Sequence, residues 1–351
     1  MVTSVLRLVF GIAVLLGPPA AAQEFIFVTG RMPALPSFAA DGQLLSQNEL
    51  FLYRDGSQIR LTFTPEVSEW DPRPSPSGRY LAYVVNQLVT DWEAVDVMLD
   101  GVWHLRIMDL ETLEILQEWE LPDTTSVWRP AGGFDIEWSE QEDWLLVQLL
   151  DAYGSGRIGR VEPGDPDVRV ISPGFGVGLQ RDSQLLATNI DGYAMVYDMS
   201  ADVHHVISVG EGLGWLGTNF VIGGQDQLVL YDFMTGSERV LADHTPGYYP
   251  YFASDPEGTR HAWLRYEPDF DGTHVTVVDG DFEPVTAWDH HAHITSIDFV
   301  DGQTLLLTVL AGAFDQIVAV ELGSFQEHPL VSTVGFDNTT PVLLPAAAPG
   351  P

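Results

Sequence analysis

The stretch Trp288 to His293, WDHHAH, holds one acid and three histidines within six residues. Alternate residues of an extended chain share a face, so His291 and His293 can point the same way while His290 cannot join His291. Two imidazoles and the Asp289 carboxylate would suit a divalent metal cofactor such as zinc, manganese or copper. Asp243 and His244 form a second acid–histidine pair. Asp243 could replace Asp289 in the ligand set, and His244 is the candidate catalytic base. The plainer reading of WDHHAH is a polar loop whose histidines are solvated or bond locally. His204-His205 sits between Val203 and Val206, where at most one of the two can face a core, so that pair reads as structural. Asp269-Phe270-Asp271-Gly272 begins like a calcium loop and lacks the later acidic ligands.

Other chemistries find little support. Gly154-Ser155-Gly156 does not have the G-x-S-x-G spacing of a nucleophile elbow. The chain has no cysteine, which excludes disulfides, thiolate metal sites and a cysteine nucleophile. Phosphate-loop, dinucleotide and haem-attachment motifs are missing. The charge balance is extreme: 50 acidic residues against 15 basic ones, all arginine, for a formal net charge of −35. Nucleic acid and anionic membranes are poor partners for such a surface, because binding them needs basic side chains to neutralise phosphates. Cationic partners, divalent ions or a salty habitat suit it better.

The length, 351 residues, allows one large all-β domain or two ordinary ones. Residues 1–22 read as a secretory signal. Arg7 is followed by the apolar run Leu8 to Gly17 and by Ala20-Ala21-Ala22, an A-x-A cleavage pattern. The apolar run is too short to span a bilayer comfortably. The expectation is a periplasmic or extracellular protein without a membrane span after cleavage, a single domain over 23–345 and a flexible tail over 346–351.

The elements that must position any site are strands. Trp70 to Asn86, WDPRPSPSGRYLAYVVN, shows the unit most clearly. A polar entry leads to a tight turn at Ser75-Pro76-Ser77-Gly78, then to the β-rich run Leu81 to Val85. A hairpin unit, first seen at Glu49 to Phe63 around Asp55-Gly56, alternates with it. The acids ending the third strands are Asp55, Asp109, Glu162, Asp198, Asp232, Asp279 and Glu321, spaced 34 to 54 residues apart. Two hairpins per repeat make a four-stranded antiparallel blade, and repeats of this length that cannot bury their faces alone must stack. Asp side chains bond local backbone N–H groups, so the recurring acids belong to turn chemistry.

Pro72 to Gly78, Ser254-Asp255-Pro256-Glu257-Gly258 and Leu61-Thr62 resemble the repeats of the TolB-type, WD-like propellers. The resemblance covers most of residues 24–345 and implies an all-β β-propeller. Counting gives seven blades, with six or eight as alternatives left by eroded copies near 212. Residues 24–63 lack an inner strand, and Thr340 to Leu344 is an orphan, so pairing them closes the ring. The acidic insertion from Asn86 to Val102 carries Trp92.

In such propellers the loops between successive blades gather at one mouth of the central channel. Here they carry Glu66, Glu69, Asp71, Asp123, Glu211, Asp243, His244, Asp289, His290, His291 and His293, with Trp288 beside them. The expected function is a monomeric protein- or peptide-binding module that uses this acidic mouth, with Trp92 on the neighbouring insertion. The alternative follows from resemblance to propeller hydrolases and lyases with a metal at the mouth. The lack of basic residues there disfavours acidic sugars and points to a lactone or ester. Prolyl oligopeptidase-type enzymes add a hydrolase domain, for which this chain has no room.

Overall fold

A computed structural model describes residues 24–30, 48–64, 67–87, 102–121, 136–150, 155–180, 183–223, 225–255, 257–267, 269–311, 314–331 and 337–344. All regular elements among them are strands, and they form seven four-stranded antiparallel blades. Blade I combines Phe25–Gly30, Asn48–Arg54 and Ser57–Arg60 with the inner strand Asp337–Leu343. Blade II is Val67–Pro74, Tyr80–Gln87, Trp103–Asp109 and Ile115–Glu120. Blade III is Ile136–Trp138, Leu145–Leu150, Gly156–Val161 and Arg169–Pro173. Blade IV is Phe175–Leu179, Leu185–Ile190, Tyr193–Asp198 and Val203–Val209. Blade V is Glu211–Leu216, Asn219–Gly223, Gln225–Asp232 and the first part of Ser237–Ser254. The rest of that long strand opens blade VI, followed by Arg260–Tyr266, Thr273–Asp279 and Pro284–His290. Blade VII is Ile294–Asp301, Thr304–Ala311, Phe314–Glu321 and Gln326–Val331.

Stacking follows from burial. Leu145–Leu150 is buried at every position, because a second strand has a neighbouring blade on each face. Outer strands such as Ile115–Glu120 are mostly exposed. The core therefore divides into seven apolar clusters among the described residues, one per blade interface. The seventh joins Phe25 and Phe27 of blade I to Leu306 and Ile317 of blade VII, so the two ends of the chain meet there. The expected closure is present, with the inner strand starting at Asp337 rather than at Thr340. Its register pairs Phe25 with Leu343 and Thr29 with Asn338.

In an antiparallel meander, the connections between strands one and two and between three and four leave by one face, the turn face. Those between two and three, and between successive blades, leave by the other, the mouth face. The repeated motifs lie on the turn face. Ser75 Oγ accepts from the Tyr80 N–H, Ser139 Oγ from the Trp144 N–H, and Asp255 Oδ1 from the Arg260 N–H. Gly78 and Gly258 take φ of 71° and 68° in those turns. Several of the third-strand acids behave as turn acids. Asp109 Oδ1 accepts from Glu111 and Thr112, Asp198 Oδ1 from Ser200 and Ala201, and Asp232 Oδ1 from Met234 and Thr235. All three carboxyls are held below their usual range, Asp198 and Asp232 first by the Ser200 and Thr235 hydroxyls and then by backbone N–H groups, Asp109 first by the Thr112 N–H.

Two of these turns form a natural comparison. Gly236 N–H donates to the Asp232 carbonyl at φ 71°, and Leu113 N–H donates to the Asp109 carbonyl at φ 59°. A left-handed L-residue costs roughly 1–2 kcal/mol, part of which glycine returns as unfolded-chain entropy. Leu113→Gly is therefore expected to raise stability by up to about 1 kcal/mol, since the exposed leucine loses little packing. A urea midpoint below that of the parent chain would refute it.

Candidate binding face

Glu66, Asp123 and Trp92 lie outside the described residues, as do residues 1–22 and the 346–351 tail. Asp243 and His244 have only their backbone described, within Ser237–Ser254, where Asp243 pairs with Gln227. The remaining predicted residues fall in different environments.

Glu69 stands on the inner strand of blade II, near the mouth. It is completely buried, so it does not present itself to a partner. The Thr64 hydroxyl donates to its Oε1, and its Oε2 has no hydrogen-bond partner. Burial pushes its carboxyl up to about 7, against the Thr64 hydrogen bond and the pull of Arg106 and Arg60. Asp71 is half-buried at φ 50°, where the ladder to the next strand is interrupted between Trp70 and Arg73. Trp288 also departs from expectation. It is half-buried against the core between blades VI and VII, its ring 5.3 Å from that of Phe325.

Among the described side chains, Asp289, His291 and His293 do not come together as a metal set. Asp289 pairs with His274, its cross-strand neighbour, at 2.5 Å. His293 Nε2 lies 3.5 Å from Asp271 Oδ1 and its ring meets Tyr266 edge-on. His290 reaches Glu327 at 3.1 Å, and His291 is exposed. The strand Pro284–His290 ends before His291, so the alternation that would have aligned His291 with His293 does not continue. Among the described residues, no three His, Cys, Asp or Glu side chains are grouped to hold a metal ion. The structural reading of His204-His205 agrees with their packing: His204 stacks on Tyr197 at 4.5 Å and His205 meets Phe233 edge-on.

The described mouth carries a different group. Glu211 opens the inner strand of blade V and accepts a hydrogen bond from Tyr248 Oη at 2.7 Å. Burial and that carboxylate raise the Tyr248 phenol well above its usual range. Glu267, held by Arg265, lies 3.3 Å from His274, and the Asp271 side chain is fully open to solvent. Deeper in the ring, Arg73 Nη2 bridges 3.0 Å to Glu137 Oε2, joining the inner strands of blades II and III. Asp298, on the inner strand of blade VII, is pushed up to about 6 by burial, opposed by the Phe299 N–H and the charge of Arg73.

Sequence reasoning passed over two amides that shape this face. Gln148 Oε1 accepts from the Gly176 N–H while its Nε2 donates to the Gly174 carbonyl at 3.2 Å. Asn189 repeats the arrangement one blade on, accepting from the Gly212 N–H and donating to its carbonyl. Each buried side chain pins the next blade's inner strand, so the connections through Gly174 and Gly210 stay one residue long. A buried polar residue inside an apolar strand was the available signal. A cleft of about 690 Å³ at the rim between blades II and III is lined by charges of both signs, among them the Arg160–Glu162 pair at 2.8 Å.

No protein-family model matches the sequence, and no curated protein matches it. Solved structures do. TolB from Acinetobacter baumannii superimposes over 92% of this chain and 67% of its own, with 14% identity and a TM-score of 0.53. A prolyl endopeptidase superimposes over 81% of this chain at 12% identity and a TM-score of 0.58. This chain spans 46% of that enzyme, about half its length. At these identities the likeness is one of fold, a TolB-like β-propeller.

Proposed function

We propose that this chain is an exported β-propeller that binds a basic segment of a protein or peptide across its mouth face. The observation that carries this reading is how differently the two faces use their acids. On the turn face, Asp109, Asp198 and Asp232 are engaged with backbone N–H groups. On the mouth face, the contacts described for Glu211, Asp271 and Asp289 are with tyrosine or histidine side chains rather than with backbone N–H groups, which supports a charge available to a ligand. The protein works as a monomer, and residues 1–22 serve as its export signal. No helix among the described residues is long and apolar enough to cross a membrane.

The test uses the full chain with a labelled arginine-rich peptide and a neutral peptide of equal length. Basic-peptide affinity is expected to fall steeply with salt, and Glu211→Gln with Asp271→Asn to weaken it about tenfold, near 1.4 kcal/mol. Equal binding of the neutral peptide, or indifference to the double substitution, would remove the mouth from the proposal.

A further inference from the structure

Seven outer strands end the seven blades, and each has backbone N–H and C=O groups on one side with no partner strand among the described residues. Folded proteins guard such edges with charge, proline or brevity. Six of the seven follow that rule. Blade I ends in the four-residue Ser57–Arg60, blade II in Ile115–Glu120 with Glu118 and Glu120, and blade III in Arg169–Pro173. The outer strand of blade V carries Glu238 and Arg239, that of blade VI Pro284 and Asp289, and that of blade VII Glu327 and Pro329.

Blade IV breaks the rule. Val203–Val209, VHHVISV, runs seven residues with no proline and no Asp, Glu, Lys or Arg, and its one irregularity is a register shift opposite Ala194 and Met195. Both histidine rings are turned to aromatic neighbours, Tyr197 and Phe233, rather than to solvent alone. Register places Val206 opposite Met195 and Val209 opposite Tyr193 on one sheet face. Val206 is 63% exposed, Val209 77% and Tyr193 44%. An apolar strip thus runs beside the open edge up to the mouth rim.

We infer that this edge is a docking strand that takes an extended, basic peptide segment of a partner protein by strand addition. Backbone pairing supplies the attachment, and the Val206–Val209–Tyr193 strip takes alternate apolar side chains of the peptide. Charge chooses the occupant. Acids stand at both ends of the strand, Asp202 at its start and Asp191 at its finish. A second copy of this chain would bring another −35 charges to the same edge, whereas arginines or lysines at the ends of an apolar peptide meet these acids directly. The site is separate from the mouth proposed above.

The experiment measures binding of the full chain to the labelled peptide Arg-Val-Thr-Val-Thr-Val-Arg, and to a version with proline in place of both threonines. The two carry equal charge, but the second lacks the N–H donors of residues 3 and 5, which an extended peptide points to one edge. The expected result is at least tenfold tighter binding of the first. Val206→Lys should abolish that preference without lowering the unfolding temperature, because residue 206 is mostly exposed. The mouth substitutions Glu211→Gln and Asp271→Asn should leave the preference intact. Equal binding of both peptides, no binding of either, or a preference unchanged by Val206→Lys would each overturn the proposal. A concentration-dependent dimer in sedimentation that Val206→Lys dissolves would assign the edge to a second copy instead, and would also overturn it.

Discussion

A chain ending at residue 336 is expected to lose about 5 kcal/mol of stability and to associate through its opened edge. The strand Asp337–Leu343 makes five register pairs with Phe25–Gly30. At roughly 1 kcal/mol net per backbone hydrogen bond, the ladder alone accounts for about 5 kcal/mol. Two side effects work in the same direction. Leu344, whose N–H donates to the Glu24 carbonyl, packs on the core between blades I and II, and Leu343 packs on the closing cluster. The strand left bare is FIFVTG, buried from Phe25 to Val28, with β-branched and aromatic residues and no charge. Such an edge pairs readily with copies of itself. Urea unfolding and sedimentation of the truncated chain test both parts. Adding a peptide of residues 337–344 in trans should recover part of the lost midpoint. An unchanged midpoint would mean that the ring holds without its seventh inner strand.

The same closing strand shows what the sequence made legible. Blades could be counted because most repeats carry their own local chemistry: a Ser or Asp turn, a doubly buried apolar strand, or an Asp that folds the next turn onto its own backbone. Local rules write such features into adjacent residues. Closure was legible for a related reason, since three strands without a partner at one end and one orphan at the other have a single economical solution. The candidate site was less legible. WDHHAH looked like a ligand set because alternate residues of an extended strand share a face, but the strand stops at His290 and the partners of Asp289 and His293 come from elsewhere, His274 and Asp271. Those partners lie 15 and 22 residues away in sequence, and nothing in the hexapeptide announces them. Glu69 follows an interblade loop, which by sequence alone makes it a mouth acid. Which way its side chain turns depends on how blade II packs on blade I, information spread over many residues. Gln148 and Asn189 could have been noticed as amides inside apolar runs, though their acceptors belong to the next blade.

Glu69 gives the largest expected dependence on pH. Its folded carboxyl titrates near 7, against an ordinary value of 4.5, and burial is the leading cause. The sign follows directly. A raised carboxyl means that the folded protein holds the proton more tightly than the unfolded chain. Stability is therefore greatest below about pH 4.5 as far as this group is concerned, falls as pH rises toward 7, and stays at the lower level above it. A displacement of this size corresponds to about 3 kcal/mol. Glu69→Gln keeps the shape and the capacity to accept from the Thr64 hydroxyl, but cannot ionise. The variant is expected to match the parent chain near pH 4.5 and to exceed it by about 3 kcal/mol at pH 8. Other titrating groups, including Asp298 and the many surface acids, are common to both proteins and cancel in the difference. Denaturant unfolding of the pair at several pH values measures it. A stability difference that does not change between pH 4.5 and 8 would mean that the Glu69 carboxylate is solvated or compensated in the fold. Confirmation would identify Glu69 as a source of alkaline instability within blade II, beside the mouth but sealed from it.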